Sequence, residues 1–132
     1  MRYDLKNLNP GIWFFFDEDK GDEGGSVCLR ICDSDILREI RKQTIKQKVI
    51  YKDHQRYEYE DENEDLRNEL IWDYCVVDWK GVFDQDDHLV PCNKEMKMLL
   101  MGKSVTFATF VTDKLKELNN IESDRQEELE KN

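Results

Sequence analysis

The sequence lacks any apolar run near the roughly 20 residues that a membrane-spanning helix needs. Its start, Met1-Arg2-Tyr3-Asp4, leads into no apolar signal core. The expectation is a soluble chain that stays in the cytosol. Basic charge is in deficit: 20 Lys and Arg against 30 Asp and Glu give a formal charge of −10. A field of that sign repels nucleic-acid phosphates, so neither nucleic acid nor membrane is expected as a partner.

Histidine is nearly absent, at two residues. His54 and His88 both fall in polar, turn-like segments, away from the strand ends where a Ser or Cys nucleophile would need a histidine and an orienting carboxylate. A glycine-rich phosphate loop is missing too. Gly21, Gly24 and Gly25 sit among Asp17, Glu18, Asp19, Asp22 and Glu23, whose charge opposes a phosphate. Carboxylate pairs abound, which makes no single pair informative as an acid/base site. No catalytic residue and no cofactor site is expected, and the chain reads as no enzyme.

Four cysteines are present, Cys28, Cys32, Cys75 and Cys92. In a reducing cytosol they are expected as buried free thiols. Cys28-x-x-x-Cys32 places two thiols on one expected strand face, but the other Cys and His residues have no paired spacing for zinc. The window Asp84 to Glu95 sets Asp84, Asp86, His88 and Glu95 on ligand positions of an EF-hand loop. It then puts Leu89 where the sharp turn needs Gly and a histidine where an oxygen donor belongs. A solvated acidic turn is the better description, and no metal is expected.

What the chain does have is aromatic mass: three Trp, five Tyr and six Phe, enough to argue against disorder. Its length of 132 residues fits one domain, expected over 1–121. Gly11 to Phe16 reads as a buried strand, and after a glycine turn Ser26 to Cys32 completes a hairpin. Asp33 or Ser34 caps a short helix carrying Ile36, Leu37, Ile40 and Thr44 to about Gln47. Lys48 to Lys52 and Arg56 to Glu60 then alternate around Asp53-His54-Gln55 as a second hairpin with one wet face.

Acidic residues from Asp61 precede a helical stripe of Leu66, Leu70, Tyr74 and Val77, which is expected to run to Trp79. Lys80-Gly81 breaks it, and a loop or tight hairpin follows to Val90. Asn93 caps a helix with Met96, Leu99 and Leu100 that ends at Gly102. Ser104 opens the longest helix, with Phe107, Phe110, Val111, Leu115 and Leu118 along one face. Residues 122–132 are mostly charged and are expected as a frayed or disordered tail. The class is α+β: N-terminal β-hairpins with a short helix, then a mainly helical half ending in a long helix and a charged tail.

Helical spacing makes a core stripe the first explanation of these apolar faces, yet methionine-rich and phenylalanine-rich faces also suit a helical partner. Phe107, Phe110, Val111, Leu115 and Leu118 are the candidate partner-binding residues, divided between core and contact.

The run Leu70-Ile71-Trp72-Asp73-Tyr74-Cys75-Val76-Val77-Asp78-Trp79-Lys80-Gly81-Val82, then Asp84 and Asp86, Val90-Pro91-Cys92-Asn93-Lys94-Glu95 and Leu99-Leu100, resembles small tail-assembly proteins of long-tailed bacteriophages. The resemblance covers about residues 66–132. It departs at Asp86-Asp87-His88, where an Asp-Gly turn is usual, and at Asn93, where Thr is commoner. It implies a non-enzymatic phage or prophage tail assembly chaperone. In the host bacterial cytoplasm such a protein coats the tape-measure protein until tail-tube protein replaces it in virion assembly. Two other readings remain open: a virion structural or head–tail completion protein, and an acidic DNA-mimic inhibitor of a host protein. Lys and Arg interspersed throughout, as in Arg38-Glu39-Ile40-Arg41-Lys42, count against the mimic.

Overall fold

The structure is a computed structural model that describes residues 8–131 with Arg2, Leu5 and Lys6, and side chains as far as Ile121. In chain order it contains β1 (Ile12–Phe15), a 3-10 turn (Gly21–Gly24), β2 (Ser26–Leu29), α1 (Ser34–Thr44), β3 (Ile45–Lys52) and β4 (Gln55–Glu62). α2 (Glu64–Cys75), β5 (Val76–Lys80), α3 (Lys94–Lys103) and α4 (Val105–Lys131) complete it. The fold is α+β, with N-terminal strands and a helical C-terminal half. The side chains of 122–132, expected as a tail, lie outside the described residues. Contacts divide the chain into two compact units, Met1–Ile31 with Trp72–Asn132, and Cys32–Ile71.

The first unit holds an antiparallel sheet in the order β1-β2-β5. β2 is central and every residue in it is buried, because strands pair with it on both edges. Val27 and Leu29 from β2, Val76 and Trp79 from β5, Met101 from α3, and Phe107, Val111 and Leu118 from α4 form the core. Burying such side chains stabilises by roughly 1.5–3 kcal/mol each for aliphatics and Phe. Trp79 can be buried because its indole Nε1 donates to the Val90 carbonyl at 2.8 Å.

Three expectations are corrected here. β1 is a strand but not a buried one: it lies at the sheet edge, and Ile12, Trp13 and Phe15 are about half exposed while Phe14 and Phe16 pack on the core. Residues Val76–Lys80 are a strand, not the end of a helix. The helical stripe stops at Cys75, and Val76-Val77 with Trp79, β-branched and aromatic residues that suit a pleated surface, pair with β2 instead. β2 also ends before Cys32, at Leu29, so Cys28 and Cys32 do not share a strand face.

The second unit starts at a capped helix. The Asp33 carboxylate accepts from Ile36 N at 2.9 Å, and Ile40 and Thr44 are buried along α1. α1 ends at Thr44, three residues before the expected Gln47, since Ile45 already pairs with Glu62 across the hairpin. β3 and β4 are joined by Asp53 and His54, both in the left-handed region with φ 52° and 64°, the geometry of a two-residue type I′ turn. The expected single wet face is corrected as well: apart from half-buried Ile45, every residue of both strands is exposed. Asn63 caps α2 by accepting from Leu66 N at 3.1 Å.

Candidate functional site

The candidate contact residues on α4 separate by burial. Phe107, Val111 and Leu118 belong to the core, whereas Phe110 and Leu115 are half-buried at its border. Helical periodicity put all five on one stripe. It could not tell the centre of the stripe from its margin, because that depends on the width of the sheet beneath.

Phe107 and Phe110 open onto a groove of about 380 Å³ whose other walls are Phe16, Gly24, Gly81, Val82, Leu100, Ser104 and Thr106. The Phe16 ring lies 5.2 Å from that of Phe110 and 6.2 Å from that of Phe107, both tilted, and Trp79 meets Phe107 edge-on at 5.8 Å. These tilted contacts hold the aromatic floor in fixed orientations. Ser104 sets the angle of α4 over the groove, its Oγ accepting from Phe107 N at 3.2 Å. Lys114 holds its ammonium 5.6 Å from the centres of both the Phe14 and Phe110 rings, a cation over aromatic faces.

One end of the groove is shaped by two glycines. Gly25 (φ 83°) and Gly81 (φ 66°) approach so closely that a Cβ built on Gly25 would stand 2.8 Å from the Gly81 carbonyl oxygen. Between the lining residues Phe16 and Gly24 the chain carries Asp17, Glu18, Asp19, Asp22 and Glu23 with Lys20, all exposed, and the Asp17 carboxylate accepts from Asp19 N within its own turn. An apolar slot of this kind can take an apolar side chain from a helix. Sequence reading missed Phe16 and Val82 as groove walls, and only the strand-to-helix packing brings them to Phe110.

The acidic window at 84–95 partly converges. Oxygen and nitrogen atoms of Asp84, Asp86 and His88 come within 4.8 Å of one another, but Glu95 lies apart in the first turn of α3. One oxygen of Asp84 already accepts from Asp86 N at 2.8 Å and His88 N at 3.0 Å, so this carboxylate is occupied in closing its own turn. The other histidine, His54, forms the hairpin turn. Burial, ahead of the charge of Asp78, raises the pKa of the Cys28 thiol, and burial likewise raises that of Cys92, which opposes nucleophilic thiolate chemistry at both.

In the second unit a cleft of about 390 Å³ is lined by apolar Leu37, Ile40, Ile45 and Ile71 with Arg41, Glu60, Glu62 and Arg67. Its charges are internally matched, Arg41 to Glu60 at 3.1 Å and Arg67 to Glu62 at 2.8 Å. It presents no net charge to a ligand. Among the described residues no helix is long and apolar enough to cross a membrane.

A family model described as YdaY prophage protein matches residues 28–132. No curated protein and no solved structure matches the chain.

Proposed function

The chain belongs to the YdaY prophage protein family, and from that premise we propose that it is a non-enzymatic tail assembly chaperone that holds the phage tape-measure protein before the tail tube closes around it. The observation that carries this reading is the apolar groove floored by Phe16, Phe107 and Phe110. A long helical chain with apolar stripes aggregates unless those stripes are covered, and a groove of this kind takes one apolar side chain per contact. The surplus of ten negative charges keeps such a complex dispersed. The likeness of residues 70–100 to small tail-assembly proteins supports the same reading, with the tail-tube protein as the second partner and the host cytoplasm as the setting.

The test is co-expression with the tape-measure protein of the same prophage, followed by a sizing column at low and high salt. Co-elution that survives high salt, with the tape measure insoluble when expressed alone, supports the chaperone. Binding that collapses with salt points to electrostatic mimicry of nucleic acid. Recovery of the protein in finished particles, which a chaperone leaves, points to a virion component.

A further inference from the structure

The cleft of the second unit is lined by two residues that each carry a polar atom without a partner. The hydroxyl of Thr44 and the Nε–H of Arg67 are closed off from solvent, and neither makes a hydrogen bond among the described residues. Thr44 as a whole is 2% exposed. A threonine in a helix can place its hydroxyl on the carbonyl one turn back, but Thr44, the last residue of α1, does not. A buried polar group left unpaired costs more than a made hydrogen bond returns, and native folds carry few of them. Two on one cleft call for a common cause.

Three pieces of the unit build this cleft. Leu37, Ile40, Arg41 and Thr44 follow helical spacing along α1, Arg67 and Ile71 stand one turn apart on α2, and Ile45, Glu60 and Glu62 come from the β3–β4 hairpin. Its volume of about 390 Å³ is more than ten times the roughly 30 Å³ that one water takes up in the liquid, so a single bridging water does not account for it. The charges on it are already committed. Arg41 donates to Glu60, which also accepts from Gln47 Nε2 at 3.4 Å, and Arg67 reaches Glu62 through Nη1. A ligand is left with four branched apolar side chains, one atom that only donates, Arg67 Nε, and one that donates or accepts, Thr44 Oγ1.

We infer that this cleft binds a small neutral molecule that joins a branched apolar body to an amide group. The carbonyl oxygen accepts from Arg67 Nε–H, the amide N–H donates to Thr44 Oγ1, and the apolar body lies against Leu37, Ile40, Ile45 and Ile71. A carboxylate is the poorer match because Glu60 and Glu62 stand on the same cleft, and an ammonium group has no lone pair for Arg67. Both polar atoms sit on side chains that can turn toward a guest. Arg67 is long and its side chain is 43% exposed, and threonine in a helix divides between two χ1 wells. The cleft shares no residue with the groove on α4, so the two sites are tested apart.

The probe is isocaproamide, titrated into the isotope-labelled full chain and followed by amide NMR shifts, with isocaproate at about pH 7 as its ionised counterpart. Isocaproamide is expected to move the resonances of the cleft residues of α1 and α2 saturably, with a Kd of about 1 mM or tighter, ordinary for about eight non-hydrogen atoms. Isocaproate is expected to bind at least about tenfold more weakly. Thr44→Val keeps the shape of the side chain and removes the hydroxyl. It should weaken isocaproamide binding about fivefold and, with the unpaired group gone, raise the unfolding midpoint of the free protein. Arg67→Lys keeps a positive charge beside Glu62 without the Nε–H, and should weaken binding about as much. The spectrum of each free variant reports its fold. No saturable shift up to about 50 mM, the result for a cleft that holds water only, overturns the proposal. So does isocaproate binding as tightly as isocaproamide, or either folded variant binding as the wild type does.

Discussion

Gly25 and Gly81 touch backbone to backbone: a Cβ on Gly81 would lie 2.9 Å from the Cα of Gly25, and both residues have positive φ. Gly25 leads into β2 and Gly81 follows β5, so their contact is the crossing point from which the two strands run together and at which the aromatic groove ends. Gly81→Ala therefore meets two obstacles, a left-handed backbone and a neighbour that is main chain and cannot swing away. The expected loss is about 2 kcal/mol or more. Gly21→Ala is the control, since Gly21 has positive φ but open space around it, and backbone strain alone costs about 1 kcal/mol. Urea unfolding of the pair decides it: equal midpoints would mean that the close approach contributes nothing.

That contact was not legible in the sequence, which marked both glycines as breaks and nothing more. What could be read locally is what local chemistry decides. Asp33, Asn93 and Ser104 each accept from the N–H three residues on, and Asp53-His54 turns a hairpin whose alternation was plain. The misreadings all depended on neighbours distant in sequence. Leu66, Leu70, Tyr74 and Val77 keep helical spacing past Cys75, and only the open edge of β2 converts Val76–Lys80 into a strand. The Ile12–Phe15 run looks buried because it is apolar, yet edge or centre is a property of the sheet. On α4 the stripe was visible and its division into core and groove was not.

Lys97 is a buried cation whose Nζ donates to both the backbone carbonyl, at 3.1 Å, and the carboxylate, at 3.2 Å, of Asp73. The Asp73 side chain is 40% exposed, so water screens its half of the pair. Asp73→Ala leaves the ammonium with one acceptor in a largely dry site and is expected to cost about 1–2 kcal/mol. Lys97→Met keeps the packed stem and removes the charge that had to be satisfied, and should stay within about 1 kcal/mol of wild type. Thermal unfolding of both variants checks the order. A Lys97→Met protein less stable than Asp73→Ala would show that the ion pair itself, not its desolvation, dominates.

The raised thiol pKa values at Cys28 and Cys92 have a definite sign in stability. Both groups start from 9.0 and hold their protons longer when folded. Below pH 9 both states are protonated and nothing is gained or lost. Above it the unfolded chain releases protons that the folded chain keeps, so the stability falls as pH rises from about 9 toward the folded pKa values. Cys28→Ala/Cys92→Ala should flatten that alkaline slope. At pH 8 alkylation of these two thiols in the native protein should run at least about tenfold slower than after denaturation, as read by mass spectrometry of the labelled peptides.

Phe107 and Phe110 stand one helical turn apart, and the groove separates their roles. Phe107 is 9% exposed, and it packs edge-on against Trp79 inside the core. Phe107→Ala should cost about 3 kcal/mol or more through the cavity it leaves, and any loss of tape-measure binding should then follow the fraction unfolded. Phe110 is half-buried with one side against Phe16 and the other toward the groove. Phe110→Asp puts a charge where an incoming apolar side chain would sit, while the folded chain can still hydrate it. Its expected signature is tape-measure affinity lowered about tenfold or more, with an unfolding midpoint much closer to wild type than that of Phe107→Ala. Affinity and stability measured on the same two variants separate a contact residue from a core residue. If Phe110→Asp binds as the wild type does, the groove is not where the tape measure is held, whatever the stability of the fold.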